Sequence, residues 1–390
     1  MNDLSNISYN VNELVEILKD LIRIESHIEN KIYEKDIALY IYDFFKKLNI
    51  NVRLQYVCRN RYNVIANIKG KSDKTIMFTG HMDTVPSYGL EDIFCPKVID
   101  EKVYGRGACD MKGAIAAMLY SAKIIKEHNL IPNSNIIYAF VCDEEFQSLG
   151  TEKLIKSGIR ADVAILGEAT NMNIGLGHKG LEWIDIEIIG KGGHGGTVED
   201  GVNAIYISSK LINLIENNLI PKIKNRRDEL LGSPTLNVGF IKGGEQPSTI
   251  PERCVIKLDR RYIFGESIQL IYDEINELLD EVRKYYKFNA VVKPNPMNKN
   301  EMEHTPYLID KNHPIIRHIK DLSKNILKFN PKEICFSGWT DAALIGNYAK
   351  IPTVILGPGN LNFAHCKEEH VSILELLMAS KLYTLIAYTY

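Results

Sequence analysis

The stretch of sequence that decides the fold holds two motifs, TIMFTGHMDTVP at residues 75–86 and YGRGACDMKGAIAAM at residues 104–118. In the first motif an apolar run ends just before His81, and Asp83 follows two positions later. Residues two positions apart in a strand face the same way, so the imidazole and the carboxylate can touch. In the second motif Asp110 follows a glycine-rich turn and precedes an alanine-rich run that predicts a buried helix. A histidine and two acids in such places are typical of a metal site at the edge of an open α/β sheet.

Strand-like and helix-like segments alternate on both sides of this stretch. Periodicity predicts helices at Val11–Ile24, Lys35–Leu48 and Met111–Glu127, and strands at Asn51–Val57, Tyr62–Ile68, Thr75–Thr79, Asn135–Cys142 and Ala161–Leu166. The run NIIYAFVC at 135–142 is apolar almost throughout, as in a strand that is buried on both faces. The alternation predicts an α/β fold in which helices flank a mostly parallel sheet.

The pattern changes near Gly180. Alternating polar and apolar residues predict strands at Leu181–Ile189, Thr235–Ile241 and Cys254–Tyr262, with helices at Gly201–Asn217 and Gln269–Tyr285. This order matches the split-βαβ, ferredoxin-like plan of a small α+β domain, which ends near Pro294. Beyond it, helices are predicted at Pro314–Leu327 and Ile373–Tyr388, and a strand at Thr353–Leu356. We therefore predict that residues 1–180 and 294–390 form one domain, into which residues 181–293 are inserted.

The composition excludes several classes of function. The 390 residues are 45% hydrophobic and 25% charged with a net charge of −2, and like charges form no block, so nothing favours binding to nucleic acid or to an anionic membrane. No apolar run reaches the roughly 18 residues that span a bilayer. The first ten residues lack the basic and apolar regions of a signal peptide. Seven cysteines without a Cys-x-x-Cys pair predict reduced thiols in a cytoplasmic protein.

Further acids and a second histidine follow predicted strands or a tight turn. The acids of residues 143–145 follow one strand, Glu168 follows another, and His365 comes after a Gly-Pro-Gly turn. Taken singly, the acid triplet could be a solvated turn and His365 could be structural. Together with His81 and Asp110 they offer the imidazole and carboxylate ligands that zinc, cobalt and manganese accept. Five ligands that share one carboxylate would hold two ions about 3.5–4 Å apart, as in hydrolytic two-metal sites.

Five motifs in this order, HMDTVP, GRGACDMKGAIAAM, DEE, GEAT and GPGNLNFAH, resemble the M20 family of metallopeptidases and deacylases. That family includes acetylornithine deacetylase, succinyl-diaminopimelate desuccinylase, aminoacylase and glutamate carboxypeptidase. The resemblance spans nearly the whole chain. It implies that the inserted domain is a lid and a dimerisation domain, and that the protein is a homodimer.

The resemblance also implies a set of metal ligands for two divalent ions, with zinc favoured and cobalt or manganese as alternatives. His81 and Glu168 would hold one ion, and Glu145 and His365 the other. Asp110 would bridge the two ions, and the peptide bond that follows it would be cis.

The catalytic roles are implied in the same way. Asp83 would bind the second imidazole nitrogen of His81 and fix its orientation. Glu144 would take a proton from the metal-bridging water as that water attacks an amide carbonyl, and would then pass the proton to the leaving amine.

The inserted domain contributes three candidates. His194, within GGHGG at residues 192–196, would reach the active site of the partner subunit and stabilise the oxyanion. Arg261 would bind a substrate carboxylate, and its neighbour Arg260 is predicted to face solvent. Ser248 stands where the family usually has asparagine, so its contact to that carboxylate differs in this chain.

The leading hypothesis is a two-metal amidohydrolase that releases an amino acid from an N-acyl-amino acid. Glutamate at position 168 resembles the deacylases and carboxypeptidases of the family, whereas aspartate there accompanies aminopeptidases. The alternative is a metallo-exopeptidase of the carboxypeptidase or dipeptidase type acting on short peptides. A more remote alternative is a non-catalytic dimeric binding protein on the same scaffold.

One motif points elsewhere. Gly175, Gly177 and Gly180 have the spacing of a dinucleotide-binding fingerprint. That fingerprint must open a helix, and a strand-like alternation follows it here. The sequence therefore predicts no dinucleotide site at these glycines.

Overall fold

The structure, a computed structural model, describes residues 7–298 and 301–390. The chain divides into two compact units. The first unit ends at His178 and resumes at Tyr307, and the second unit is Lys179–Pro306.

The first part of the first unit alternates helices and strands. Its helices are α1 Val11–Arg23, α2 Lys35–Lys47, α3 Lys112–Glu127 and α4 Leu149–Lys156; its strands are β1 Asn51–Cys58, β2 Arg61–Ile68, β3 Thr75–His81, β4 Lys97–Ile99, β5 Lys102–Tyr104, β6 Asn135–Val141, β7 Val163–Leu166 and β8 Ile174–His178. Helix α1 begins where the Asn10 side chain accepts a hydrogen bond from the backbone N–H of Glu13. The predicted helices and strands of this part are therefore present, to within about three residues at each end.

The second unit is a small α+β fold. Its strands are β9 Gly180–Ile189, β10 Gly193–His194, β11 Thr235–Gly243, β12 Thr249–Ile250, β13 Arg253–Tyr262 and β14 Asn289–Pro294; its helices are α5 Ala204–Leu214, α6 Ile220–Lys224 and α7 Ile268–Arg283, with a π-helical turn at Ile215–Leu219. Four strands form an antiparallel sheet in the order β11-β13-β9-β14, and α5 and α7 contribute to its core. The Asn295 amide donates to Asp185 at 2.6 Å, so the chain stays attached to this unit beyond Pro294.

The chain returns to the first unit with β15 Tyr307–Leu308, α8 Pro314–Asn325, β16 Glu333–Cys335, α9 Ala342–Asn347, β17 Thr353–Ile355, β18 His370–Ser372 and α10 Ile373–Thr389. The main sheet has the order β1-β2-β6-β3-β7-β17-β8-β15, and β16 pairs with β8. Its central strands β6, β3, β7 and β17 are mutually parallel, and the pairs on either side of them are antiparallel. The predicted α/β class, with a mainly parallel sheet, is confirmed.

Both faces of the central sheet are buried. Ile76 and Phe78 of β3 belong to the large core beneath α1, α3 and α10, whereas Met77 between them belongs to a smaller core on the opposite face. Successive side chains of a strand point to opposite faces, so a strand covered on both sides must be apolar at every position. This explains the continuous apolar runs in the sequence.

Several short elements have no clear pattern in the sequence. Strands β4, β5 and β18 form a separate three-stranded sheet, and each has only three residues. Gly175 and Gly177 lie inside β8, and Gly180 opens β9 rather than a helix. The glycine spacing therefore belongs to two successive strands.

Within residues 7–298 and 301–390, every helix is too short or too polar to cross a lipid bilayer.

The four parallel strands bring the candidate residues to one edge. Residues 81–83 lie at the carboxyl end of β3, residues 143–145 after β6, Glu168 after β7, and the segment that leads to His365 after β17. Parallel strands present their carboxyl ends at the same edge of the sheet, where ligands of open α/β sheets bind. The topology therefore gathers side chains that are far apart in sequence.

Asn63 of β2 holds this edge together. The buried side chain accepts from the backbone N–H of Cys142 at 3.2 Å and donates to the Gly150 carbonyl at 2.8 Å and to Gln55 at 2.8 Å. We expect Asn63→Leu to lower the free energy of unfolding by about 2–5 kcal/mol, because it leaves buried backbone groups without partners. Urea denaturation would measure this.

The matched control is Asn67→Leu, at an exposed asparagine of the same strand. It should change the free energy of unfolding by no more than about 0.5 kcal/mol. Equal effects of the two substitutions would show that the Asn63 hydrogen bonds contribute no stability.

Candidate active site

The orientation of His81 comes from the backbone. Its Nδ1 lies 3.0 Å from the carbonyl oxygen of Asp83 and 3.7 Å from the Asp83 carboxylate, so the closer partner is the carbonyl rather than the predicted carboxylate. A carbonyl oxygen only accepts hydrogen bonds, so Nδ1 carries the proton. The other nitrogen, Nε2, is the atom of His81 that can bind a metal ion.

The Asp83 carboxylate instead holds the loop of acids. Its two oxygens accept from the backbone N–H groups of Glu144 at 3.1 Å and Glu145 at 2.9 Å. The strand β3 and the loop after β6 are thereby joined by one buried carboxylate. Asp83 orients His81 through its backbone and the two glutamates through its side chain.

Asp110 lies between the two histidines. Its Oδ1 is 3.0 Å from Nε2 of His81, and its Oδ2 is 3.3 Å from Nε2 of His365. The peptide bond from Asp110 to Met111 is cis. Each oxygen of one carboxylate thus faces a different imidazole, which is the arrangement that a bridging ligand needs.

Each imidazole has a second carboxylate beside it. Nε2 of His81 lies 3.6 Å from Glu168, and Nε2 of His365 lies 3.1 Å from Glu145. Within each group of three, His81–Asp110–Glu168 and Asp110–Glu145–His365, the candidate ligand atoms lie within 4.8 Å of one another. Two ligands of one zinc ion can be at most about 4.4 Å apart, twice the metal–ligand distance, so a small contraction suffices. The residues fit a pair of divalent ions, and the two groups are the ones that the family resemblance implies.

The electrostatics of the site also favour bound cations. Burial and the nearby Asp110 raise the pKa of Glu168 well above its usual value. Burial also opposes ionisation of Asp110, but hydrogen bonds to His365 and His81 hold its pKa well below the usual range. Buried carboxylates outnumber the imidazoles that face them, and unpaired buried charge is costly. Divalent ions would compensate this excess of negative charge.

Glu144 stands apart from the two groups. Its Oε2 is 3.9 Å from Nε2 of His81, and its side chain is 11% exposed. Burial raises the pKa of Glu144 well above its usual value; the neighbouring His81 lowers it, and Glu168 raises it further. A carboxylate with an elevated pKa beside a candidate metal site can accept and return a proton.

Sequence reasoning missed two groups of residues around this site. Asp341 is 1% exposed and accepts a hydrogen bond from Thr151 at 2.6 Å; burial raises its pKa to about 6. It precedes an alanine-rich helix, as Asp110 does, and that pattern could have identified it. Arg61 forms buried ion pairs with Asp143 and with Glu34, the latter at 3.2 Å, and no local pattern marks it.

The candidates of the second unit are described within that unit. His194 of β10 is exposed and pairs with Thr249 of β12, and the N–H of Gly195 donates to the carbonyl of Ser248 at 2.7 Å. The short β10–β12 ladder therefore brings His194 and Ser248 together.

Arg261 is held by its own strand. Its Nε and Nη2 donate to Asp259 at 2.7 and 3.0 Å, and Trp183 donates to the same carboxylate at 3.1 Å. Nη1 is not engaged in these bonds.

The prediction that Arg260 faces solvent is wrong, because Arg260 is 1% exposed. It lies on the buried face of β13, in line with Leu258 and Tyr262, and forms an ion pair with Glu266 at 2.5 Å.

Comparison with known proteins places the chain among metallohydrolases. Residues 77–389 match the family model described as peptidase family M20/M25/M40. An uncharacterised metallohydrolase of Methanocaldococcus jannaschii is 29% identical over 96% of this chain and 98% of its own length. The N-formyl-4-amino-5-aminomethyl-2-methylpyrimidine deformylase of Halalkalibacterium halodurans is 27% identical over 99% of this chain and 96% of its own length. A crystal structure of a Staphylococcus aureus tripeptidase has a TM-score of 0.81 at 23% identity, covers 97% of this chain and 98% of that one, and shares its fold.

Proposed function

The chain belongs to peptidase family M20/M25/M40, a family of metal-dependent hydrolases of amide bonds, and on that basis we propose that it releases an amino acid from an N-acyl-amino acid. The observation that carries the proposal is the position of Asp110, whose two carboxylate oxygens face His81 and His365. Such a bridging carboxylate is expected in a two-metal hydrolase. We propose two zinc ions as the native cofactors, with cobalt or manganese as substitutes.

The residues would divide the work as follows. His81 and Glu168 would hold one ion, Glu145 and His365 the other, with Asp110 shared between them. The ions would polarise the scissile carbonyl and lower the pKa of water at the site. Glu144 would take the proton that the attacking water loses and deliver it to the nitrogen of the leaving amine. The elevated pKa of Glu144 supports this role, because the group must carry the proton between the two steps.

Two residues of the second unit would recognise the product half of the substrate. Arg261, oriented by Asp259, would donate to a free α-carboxylate, and Ser248 would contribute a hydroxyl. One relative of the chain is by its name a deformylase, which removes an acyl group from nitrogen. This supports a deacylase over an exopeptidase, although the family itself is described as one of peptidases.

We propose that the protein acts in the cytoplasm, because all seven cysteines are free thiols. Cell fractionation would check this location.

A substrate panel tests the proposal directly. The protein, loaded with zinc, cobalt or manganese, would be incubated with N-formyl, N-acetyl and N-succinyl amino acids and with di- and tripeptides. We expect release of free amino acid from at least one N-acyl-amino acid, measured by amine derivatisation. Turnover of peptides alone would support the exopeptidase alternative. Absence of any hydrolysis by protein with two bound ions would favour a binding protein on this scaffold.

Glu144→Ala tests the proton-transfer role. The substitution should leave close to two metal ions per chain and lower the rate by about 10²–10⁴-fold, the usual contribution of general acid–base catalysis. Metal content would be measured by mass spectrometry and the rate on the best substrate of the panel.

Glu91→Ala is the control, because Glu91 is an exposed acid outside the site, and it should keep the wild-type rate. An unchanged rate in Glu144→Ala would remove Glu144 from the mechanism.

We also propose a homodimer in which His194 of one subunit stabilises the oxyanion in the site of the other. Its exposure and its glycine-flanked turn support a role toward a second chain. His194→Ala and Asp110→Ala should each be inactive alone, and mixed dimers should regain activity, because one composite site is then intact. If mixing restores no activity while dimers exchange subunits, the contribution in trans is wrong.

A further inference from the structure

Glu369 lies at the centre of a set of buried contacts beside the candidate metal ligands. It is four residues after His365, and its side chain is 1% exposed. Its Oε1 accepts hydrogen bonds from the backbone N–H groups of Gly107 at 2.8 Å, Cys109 at 3.3 Å and Asp110 at 3.3 Å. One oxygen of this carboxylate therefore holds the backbone of the loop that carries Asp110.

The other oxygen is bound by Arg106. Oε2 of Glu369 accepts from Nη1 of Arg106 at 2.6 Å, and both side chains are 1% exposed. The same guanidinium donates to the carbonyl of Pro86 at 3.3 Å and to that of Cys366, the residue after His365, at 3.5 Å. The ion pair thus joins the segment after β3, the Asp110 loop and the His365 loop.

The backbone continues this connection. The N–H of Gly105 donates to the Glu369 carbonyl at 3.0 Å, and His370 of β18 pairs with Tyr104 of β5. The His365 segment and the Asp110 loop are therefore joined both by main-chain bonds and by the Glu369 side chain. Because the donors around both of its oxygens are protein groups, the Glu369 carboxylate is engaged in positioning and not in metal binding.

We propose that Glu369 is a positioning residue that sets the separation between the two groups of metal ligands. Asp110 can serve both groups only if its backbone is held at one distance from His365, and the Glu369 carboxylate supplies that restraint. The proposal rests on the two-metal site of the proposed function. Partners of metal ligands of this kind typically contribute 10–100-fold to metal affinity.

Glu369→Gln tests the proposal because an amide cannot replace both acceptors. Glutamine has one acceptor oxygen and one NH₂ donor, so one side always presents a donor to a donor, either to Arg106 or to the loop N–H groups. Glu369→Asp keeps two acceptor oxygens on a shorter side chain. Glu368→Gln is the matched control, since Glu368 is the adjacent and exposed acid.

The measurement is a calorimetric titration of the metal-stripped full chain with Co²⁺, with the visible absorption of the bound ion as a second signal. We expect two ions to bind to the wild type and to Glu368→Gln with equal affinity. Glu369→Gln should bind at least one ion about 10–100-fold more weakly, and Glu369→Asp should lie between. With a substrate from the panel, higher Co²⁺ should restore kcat of Glu369→Gln toward the wild-type value. Wild-type Co²⁺ affinity in Glu369→Gln would overturn the proposal.

Circular dichroism would verify that Glu369→Gln is folded. If it is not, Glu369→Asp decides, because its shorter side chain keeps the negative charge but cannot reach both Arg106 and the N–H groups of the Asp110 loop. Weaker Co²⁺ binding in Glu369→Asp would support the proposal, and unchanged binding would overturn it. A wild type that binds two ions but hydrolyses no member of the panel would refute the proposed function alone, since this inference is read from metal affinity.

Discussion

The site depends on one carboxylate shared by two imidazoles. Asp110 faces His81 with one oxygen and His365 with the other, and Glu168 and Glu145 stand beside those histidines. Gathering buried carboxylates is unfavourable unless positive charge compensates them. The two imidazoles supply part of that charge, and a pair of divalent ions would supply the rest. Ions bound there would supply the chemistry of the two-metal hydrolase that we propose.

The rest of the first unit serves to keep these groups at short range. Four parallel strands end at one edge and deliver the residues, and buried polar side chains then hold the loops that follow them. Asp83 binds the loop after β6, Asn63 joins that loop to the start of α4, and Glu369 binds the loop before α3. Each of these side chains accepts hydrogen bonds from backbone N–H groups, and Asn63 also donates one to a backbone carbonyl. Without them these backbone groups would be buried without partners. Hydrogen bonds therefore hold these loops in addition to apolar packing.

Sequence reasoning identified the candidate ligands and one supporting residue, Asp83, but not the other supports. A ligand such as His81 or Glu168 follows an apolar run or a tight turn, and this local pattern is visible in the sequence. A supporting residue such as Arg61 or Glu369 has no such pattern, because its partners are set by the packing of distant segments. The expected solvent exposure of Arg260 was wrong for a different reason: alternation along β13 places it on the face of Leu258 and Tyr262, which is the buried face. There it pairs with Glu266 of the following loop.

The sequence by itself determined the α/β class, the change of pattern near Gly180 and the family, because strand and helix periodicity and contiguous motifs are local properties of the chain. Only the tertiary structure decided which atoms meet. It placed the Asp83 carbonyl rather than its carboxylate nearest to His81, and it brought Glu369 to the loop of Asp110. Glu369 and Asp110 are far apart in sequence, and the distances from His81 to the two oxygen groups of Asp83 differ by less than 1 Å. Hydrogen-bond geometry of this kind is fixed only after the sheet has assembled.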